Sequence, residues 1–152
     1  ESLVKLLPLI LIGFFIAFFM VGLLPDYFKI LPLGFLTLVG GVILNSLWFL
    51  IIGLCSFWLE DAFPFLLVFQ KIIFIFGGLF FPIEYLPDWS QPIVRILPFT
   101  FSAYWPAKVM IDFSFNKYFF VLSGQIIWIV ILFFISVVIF RSAVRRLHVQ
   151  GG

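Results

Sequence analysis

Charge, cysteine and histidine are scarce in this chain, and each shortage excludes a class of function. Only 11% of the 152 residues are charged, whereas soluble domains carry about 25%. A net charge of +2 with no long basic run excludes a nucleic-acid surface. Cys55 is the one cysteine, so no internal disulfide forms, and His148 is the one histidine, so neither a His-based triad nor a His-rich metal site can be assembled.

A nucleotide-binding loop is also missing from the sequence. No stretch fits the pattern G-x-x-x-x-G-K-[ST], whose backbone N–H groups cradle phosphates. If ATP drives this protein, another subunit must bind the nucleotide.

The chain is rich in apolar residues. They make up 64% of the chain, with a mean hydropathy of +1.28, against about 45–50% in soluble domains. A soluble fold of this composition would expose large apolar patches, which soluble monomers rarely do. The composition therefore predicts an all-α integral membrane protein.

Four apolar runs predict four membrane spans in a single transmembrane domain over residues 1–152. The spans are expected at about residues 6–24, 31–59, 64–83 and 118–140. Each run approaches or exceeds the roughly 20 residues that cross about 30 Å of hydrocarbon. Arg141, Arg145 and Arg146 close the last run, and the positive-inside rule makes residues 141–152 a cytoplasmic tail. Counting back from this tail puts residues 84–117 on the outer side.

The outer segment, residues 84–117, is apolar but interrupted by proline. Proline removes a backbone donor and biases the preceding residue toward extended geometry, so the segment should consist of short helices joined by bends. Backbone at membrane depth is tolerated only where it packs on protein or lines a cavity. The segment is therefore either a lid over a route or an interfacial anchor without a gating role. The candidate gate residues are Phe81, Pro82, Glu84, Pro87, Trp89, Pro98 and Pro106.

Polar side chains inside the spans are the other candidates, because they are costly in lipid and usually face the bundle interior or a cavity. They are Asn45, Gln70, Lys71 and Gln125. Asn45 could line a route or bridge helices. Lys71 could serve the route, snorkel to the cytoplasmic interface, or pair with Glu60 or Asp61.

Several short motifs occur in order along the chain. They are GGLFFPIEYLPDW at residues 77–89, LPF at 97–99, YWPA at 104–107, Gln125 and Trp128 in the last span, and the tail RSAVRRLHVQGG. Together they resemble the C-terminal part of an ABC-2 type transporter permease. The resemblance implies a polytopic helical bundle with a broken re-entrant helical hairpin on the outer side before the last span. It also implies that the four spans correspond to spans three to six, so that the first two spans of the full protein are missing.

The function implied by the resemblance is that of a permease subunit in an ATP-driven exporter. Such a subunit lies in the cytoplasmic (inner) membrane of a prokaryote, contacts membrane lipid and works by alternating access. Its expected partners are cytoplasmic ABC ATPase subunits, which hold the ATP and Mg, and a second permease copy or paralogue in a dimer. No cofactor and no enzyme activity are expected in this chain.

Two other classes of function stay open from the residues alone. A non-transporting membrane scaffold or assembly subunit would be indicated by the absence of any ATPase in the purified complex. A membrane-embedded lipid-modifying enzyme would need clustered acidic, His or Arg side chains. The acidic residues here are scattered, apart from the pair Glu60 and Asp61.

Overall fold

The described part of the chain is built of helices. The computed structural model describes residues 27–59 and 61–150, together with the isolated positions 8, 12, 15 and 19. Within these residues no strand occurs, which confirms the all-helical fold. The helices are α1 (Tyr27–Cys55), α2 (Phe63–Phe76), a 3-10 turn (Ile83–Tyr85), α3 (Gln91–Ile96), α4 (Pro98–Ser102), α5 (Tyr104–Ile111) and α6 (Phe115–Gln150). The first predicted span, residues 6–24, lies outside the described residues apart from those isolated positions.

Two helices are long and apolar enough to cross a membrane. They cover Ile30–Cys55 within α1 and Phe115–Arg145 within α6, with mean hydropathies of 2.2 and 2.6. Only 28% and 17% of their most apolar windows are buried in the structure, whereas the core helix of a soluble protein would be mostly buried. Their exposed apolar surface suits lipid as the solvent, so the chain is a helical membrane protein.

The helix α2 is shorter than the predicted third span, which extended to residue 83. It ends at Phe76 because Gly77 and Gly78 form a C-cap: the Gly77 N–H bonds to the Ile73 carbonyl at 2.7 Å, and Gly78 has a φ of +71°. Fourteen residues rise about 21 Å, short of the roughly 30 Å of a bilayer core. The apolar residues after the cap are not part of the helix.

The other long helices also differ from the predicted limits. α1 ends at Cys55, and residues 56–58 form a turn instead of completing the span to residue 59. At the other end of the chain, α6 continues without a break to Gln150. Most of the predicted tail is therefore an extension of the last helix.

The helices α1 and α6 pack side by side in the same direction. Leu33 packs beside Tyr118 and Val121. Further along, Thr37 accepts a hydrogen bond from Gln125, and the buried Leu44 and Ile51 share a cluster with Leu132. Residue numbers increase together along both helices, so the pair is parallel. The chain between them must return to the starting end, and the predicted scheme requires the same.

Candidate functional site

The candidate site is the broken segment between α2 and α6, which descends along α1. In the N-terminal part of α1, a Cβ on Gly34 would lie 2.8 Å from the Met110 side chain. Further along the helix, a Cβ on Gly41, the middle residue of α1, would lie 2.3 Å from the Ser102 carbonyl oxygen. The Phe99 ring stacks on Trp48 at 5.3 Å between centroids. Because residues 34 and 48 are separated by about 21 Å of helix, this segment reaches well past the middle of α1.

The lowest part of the segment, residues 95–102, is called the buried bend below. Here the C-terminal ends of α3 and α4 leave carbonyl groups that such short helices cannot pair themselves. Side chains supply the missing donors. The bonds run from Trp105 Nε1 to the Arg95 carbonyl (3.0 Å), Trp128 Nε1 to Ile96 (2.9 Å), Thr100 Oγ1 to Leu97 (2.6 Å), Ser102 Oγ to Phe99 (2.7 Å) and Gln125 Nε2 to Phe101 (3.0 Å). Five carbonyls of the bend are thus paired with protein donors, as backbone groups in lipid must be.

Gln125 connects three helices at this point. Its side chain is 2% exposed, and its Nε2 donates to the carbonyls of Thr37 in α1 at 2.7 Å and Phe101 in α4 at 3.0 Å. A Cβ on Gly40 would lie 2.4 Å from Gln125 Oε1, so a larger residue there would displace the amide. The structure therefore places Gln125 in a structural junction of the bend.

Small residues let the bend approach both long helices closely. The Gly41 backbone lies against the Ser102 carbonyl, and a Cβ on Gly124 of α6 would lie 2.1 Å from the Phe101 ring. Close approach at small residues is the usual way in which membrane helices pack, since lipid tails give no hydrophobic driving force between helices. The bend is consequently held between α1 and α6 by shape as well as by hydrogen bonds.

An aromatic group attaches α2 to the bend. Phe69, the buried residue of α2, lies 5.2 Å from Trp48 and 5.9 Å from Phe99 between ring centroids. Aromatic pairs at such distances contribute about 0.5–1.5 kcal/mol each. These ring contacts therefore couple any movement of α2 to the bend.

Glu84, Tyr104 and Lys108 form a polar cluster nearer the other end of the segment. The Tyr104 hydroxyl donates to Glu84 Oε1 at 2.5 Å, and Lys108 Nζ donates to the Tyr104 oxygen at 2.7 Å. Lys108 also forms an ion pair with Glu84. The cluster joins the 3-10 turn, which precedes the buried bend in the chain, to α5, which follows it.

The cluster favours the charged form of Glu84. Hydrogen bonds from Lys108 and then from Tyr104 stabilise the carboxylate and lower the pKa of Glu84 to about 2. Burial, followed by the bond that it donates to Glu84, raises the pKa of Tyr104. Burial alone would lower the pKa of Lys108, but the bonds with Glu84 and Tyr104 outweigh it and the pKa is raised. At neutral pH the cluster is a charged pair with a neutral phenol.

A shallow cleft of about 280 Å³ opens beside this cluster. The rest of its wall consists of Gly78, Pro82, Ala107, Ile111 and Asp112. The left-handed Gly78 lets the chain pass close to the Tyr104 ring, since a Cβ there would lie 2.9 Å from it. In the described ranges, no group of three or more His, Cys, Asp or Glu side chains could hold a metal ion.

The remaining gate candidates divide between the interior and the surface. Pro98 and Pro106 are buried in the segment, and Phe81 is half-buried. Pro82, Pro87 and Trp89 are exposed, Trp89 to 76%. The gate candidates therefore do not converge on one surface.

The polar and basic candidates in the long helices are spread over the molecule. Asn45 is half-buried in α1, whereas Gln70 and Lys71 are exposed on α2. Arg141 and Arg145 are exposed on the last part of α6, and Arg146 continues the helix. Of the polar span candidates, only Gln125 contacts the bend through hydrogen bonds.

Sequence reasoning identified neither Lys108 nor Tyr104 as a candidate site residue. Their spacing of four within one helix was the available signal, because such residues share a face. The pairing with Glu84, 24 residues before Lys108, has no local signature. The capping roles of Thr100 and of the two indoles likewise depend on tertiary contacts.

The fold and the site define a class: a helical membrane protein in which a broken, side-chain-capped segment packs between two long parallel helices. The family profile described as ABC-2 family transporter protein matches residues 3–151. The chain belongs to this family, which confirms the resemblance seen in the motifs. A comparison with curated proteins and a comparison with solved structures give no match. Family membership makes the chain a membrane component of an ABC transporter that works with ABC ATPase subunits.

Proposed function

We propose that this chain is the permease subunit of an ATP-driven exporter, and that its broken segment closes the outer end of the transport route. Membership of the ABC-2 transporter family supports transport. The observation that supports the closing role is the buried bend, which reaches past the middle of α1 with its carbonyls capped by side chains. A simple interfacial anchor would not need to reach so far along α1 or to have five of its carbonyls capped by side chains.

The bend is suited to follow the motion of the long helices. Gln125 and Trp128 of α6 each donate to a bend carbonyl, while Gly41 of α1 packs against the Ser102 carbonyl. A shift of α1 against α6 therefore has to move the bend or break these contacts. Such coupled motion is what alternating access requires of an outer gate.

The energy source and the other subunits lie outside this chain. We expect ATP and Mg to bind to cytoplasmic ABC ATPase partners, because membership of this family implies such subunits; residues 1–152 contain no P-loop. A second permease copy or a paralogue completes the route as a dimer, since closed two-fold assemblies are the commonest. By the positive-inside rule, the arginines at the end of α6 support a cytoplasmic C-terminus, and we expect the inner membrane of a prokaryotic cell, with its lipid, to surround the helices.

The test is purification of the complete tagged protein in mild detergent. We expect a P-loop ATPase to co-purify at about one copy per permease and to hydrolyse ATP faster in the complex, because in such a machine turnover is coupled to the permease. Recovery of the protein alone, or ATP turnover that is indifferent to it, would contradict the proposal. That result would favour a non-transporting membrane scaffold instead.

A further inference from the structure

The cleft beside the polar cluster opens at the edge of the apolar layer. Asp112 belongs to its wall and precedes Phe115, where the apolar part of α6 begins, by three residues. Met110 lies against Gly34 of α1, about 6 Å of helix from Ile30, where the apolar part of α1 begins. Because phospholipid headgroups occupy roughly 5–8 Å on each side of the hydrocarbon, the cleft lies at headgroup depth.

Charges of both signs line this cleft, and negative charge is in excess. Glu84 and Asp112 contribute two carboxylates and Lys108 contributes one ammonium, so the wall carries a net charge of −1. Lys117 pairs with Asp112 but is not part of the wall. The Glu84 and Asp112 side chains are 41% and 64% exposed, so a ligand in the cleft can reach both carboxylates.

Both carboxylates are ionised at neutral pH. The hydrogen bond from Lys108 contributes most to lowering the pKa of Glu84 to about 2. The hydrogen bond from Lys117 likewise lowers the pKa of Asp112. An ionised carboxylate accepts at about four lone-pair sites, so the lysine on each one leaves room for a further donor.

The size and the apolar wall of the cleft suit a lipid headgroup. Its volume is about 280 Å³, which is below the roughly 300–1,000 Å³ of pockets that enclose a drug-sized molecule. Ile111 is part of the wall and is 75% exposed. Because Ile111 lies between Met110 and the start of α6, it offers an acyl chain an apolar surface beside the charged groups.

We propose that this cleft binds the headgroup of a membrane phospholipid that carries a primary ammonium group. The ammonium donates hydrogen bonds to the carboxylates of Glu84 and Asp112, and the headgroup phosphate faces the Lys108 ammonium. A quaternary choline has no N–H to donate, and a headgroup with phosphate as its only charge adds a negative charge to a wall that is already negative. The cleft therefore selects phosphatidylethanolamine over phosphatidylcholine and phosphatidylglycerol.

The test measures lipid binding to the complete protein in mild detergent by native mass spectrometry. Phosphatidylethanolamine, phosphatidylcholine and phosphatidylglycerol with identical acyl chains are titrated separately, so that only the headgroup differs. We expect phosphatidylethanolamine to bind about fivefold more tightly than phosphatidylcholine, because charge-assisted hydrogen bonds are roughly twice as strong as neutral ones. Phosphatidylglycerol should bind no better than phosphatidylcholine.

Substitutions of acidic residues locate the selectivity. Asp112→Asn removes one carboxylate of the wall and should abolish most of the preference, whereas Asp112→Glu should retain it. Asp88→Asn is the matched control, because Asp88 is exposed on the same segment but is not part of the wall. Lys117→Gln removes the lysine that competes for Asp112 and should keep or increase the preference.

Three results would overturn the site: equal binding of phosphatidylethanolamine and phosphatidylcholine, a full preference in Asp112→Asn, or an equal loss in Asp88→Asn. A thermal melt of each variant separates loss of binding from loss of fold. If Asp112→Asn does not fold, Glu84→Gln tests the same prediction through the other carboxylate, and a full preference in that variant would contradict the site.

Soluble phosphoethanolamine distinguishes a membrane lipid from a water-soluble ligand with the same headgroup. We expect it to bind at least about tenfold more weakly than the lipid, because it lacks the acyl chains that bury apolar surface. Equal affinity would overturn the assignment to a lipid. The proposal does not depend on transport, since co-purification of an ATPase is measured separately and neither result requires the other.

Discussion

Replacing Gln125 with leucine should weaken the protein by removing the junction of three helices. Leucine occupies a similar volume but donates no hydrogen bond, so the Thr37 and Phe101 carbonyls lose their bonds of 2.7 and 3.0 Å. An unpaired buried acceptor costs about 1–3 kcal/mol, and interhelical bonds in membranes average about 0.6 kcal/mol. Leucine also removes the Gln125 Oε1 atom, which is buried without a partner in the described residues. Because removal of this unpaired atom offsets part of the cost of the lost bonds, we expect the free energy of unfolding to fall by about 1–2 kcal/mol.

The measurement is reversible unfolding in bicelles by steric trapping, and Gln70→Leu is a matched control. Gln70 is an exposed glutamine on the apolar helix α2, so the same substitution there breaks none of the bonds described at the junction. We expect Gln70→Leu to leave stability unchanged within about 0.5 kcal/mol. If Gln125→Leu is as stable as the wild type, or if both variants lose the same amount, the junction does not hold the bend as described.

Three further predictions concern the packing, the caps and the polar cluster. Gly41→Ala should lower the free energy of unfolding by about 1–3 kcal/mol, because its Cβ would lie 2.3 Å from a backbone carbonyl of α4. The control is Gly53→Ala, whose Cβ would meet open space. It should be neutral or slightly stabilising in the same unfolding assay. Trp128→Phe should cost about 0.6–1.7 kcal/mol through the lost indole bond to the bend, and an unchanged unfolding free energy would contradict the capping role. The Glu84 pKa of about 2 lies below its usual 4.5, so the stabilisation by Lys108 is complete above about pH 4.5 and lost as the pH falls toward 2. The difference in melting temperature between wild type and Glu84→Gln should stay constant from pH 7 to about pH 5 and shrink below that range; a difference that changes between pH 7 and 6 would refute the assignment.

The features predictable from sequence are those encoded by local composition. The apolar runs around residues 31–59 and 118–140 predicted the long helices α1 and α6, because transfer of apolar side chains into lipid depends on composition alone. The prolines of residues 84–117 predicted short helices, because proline acts on its own backbone and its neighbour's. Gln125 stood out because a buried amide is costly in lipid, although its role as a junction needed the structure.

The features that could not be predicted depend on contacts distant in sequence or on backbone geometry. Hydropathy extended the third span beyond Gly77 because the next residues are apolar, yet the left-handed conformation of Gly78 ends α2 there. The ion pair of Glu84 with Lys108 joins residues that precede and follow the buried bend in the chain. Capping of the bend by the Trp105 and Trp128 indoles requires the folded position of both rings.

The closing role of the segment is tested most directly by the water accessibility of the buried bend during ATP turnover. Ser102→Cys in a Cys55→Ser background carries a thiol at the half-buried end of α4, and Trp89→Cys at a position 76% exposed serves as the control. A membrane-impermeant maleimide is added from outside to the complex, with and without ATP. The account predicts that residue 102 is labelled about tenfold faster in the ATP-bound state, as expected for a population shift of a gate, while residue 89 is labelled equally in both. Equal labelling of residue 102 in both states would contradict a closing role for the segment.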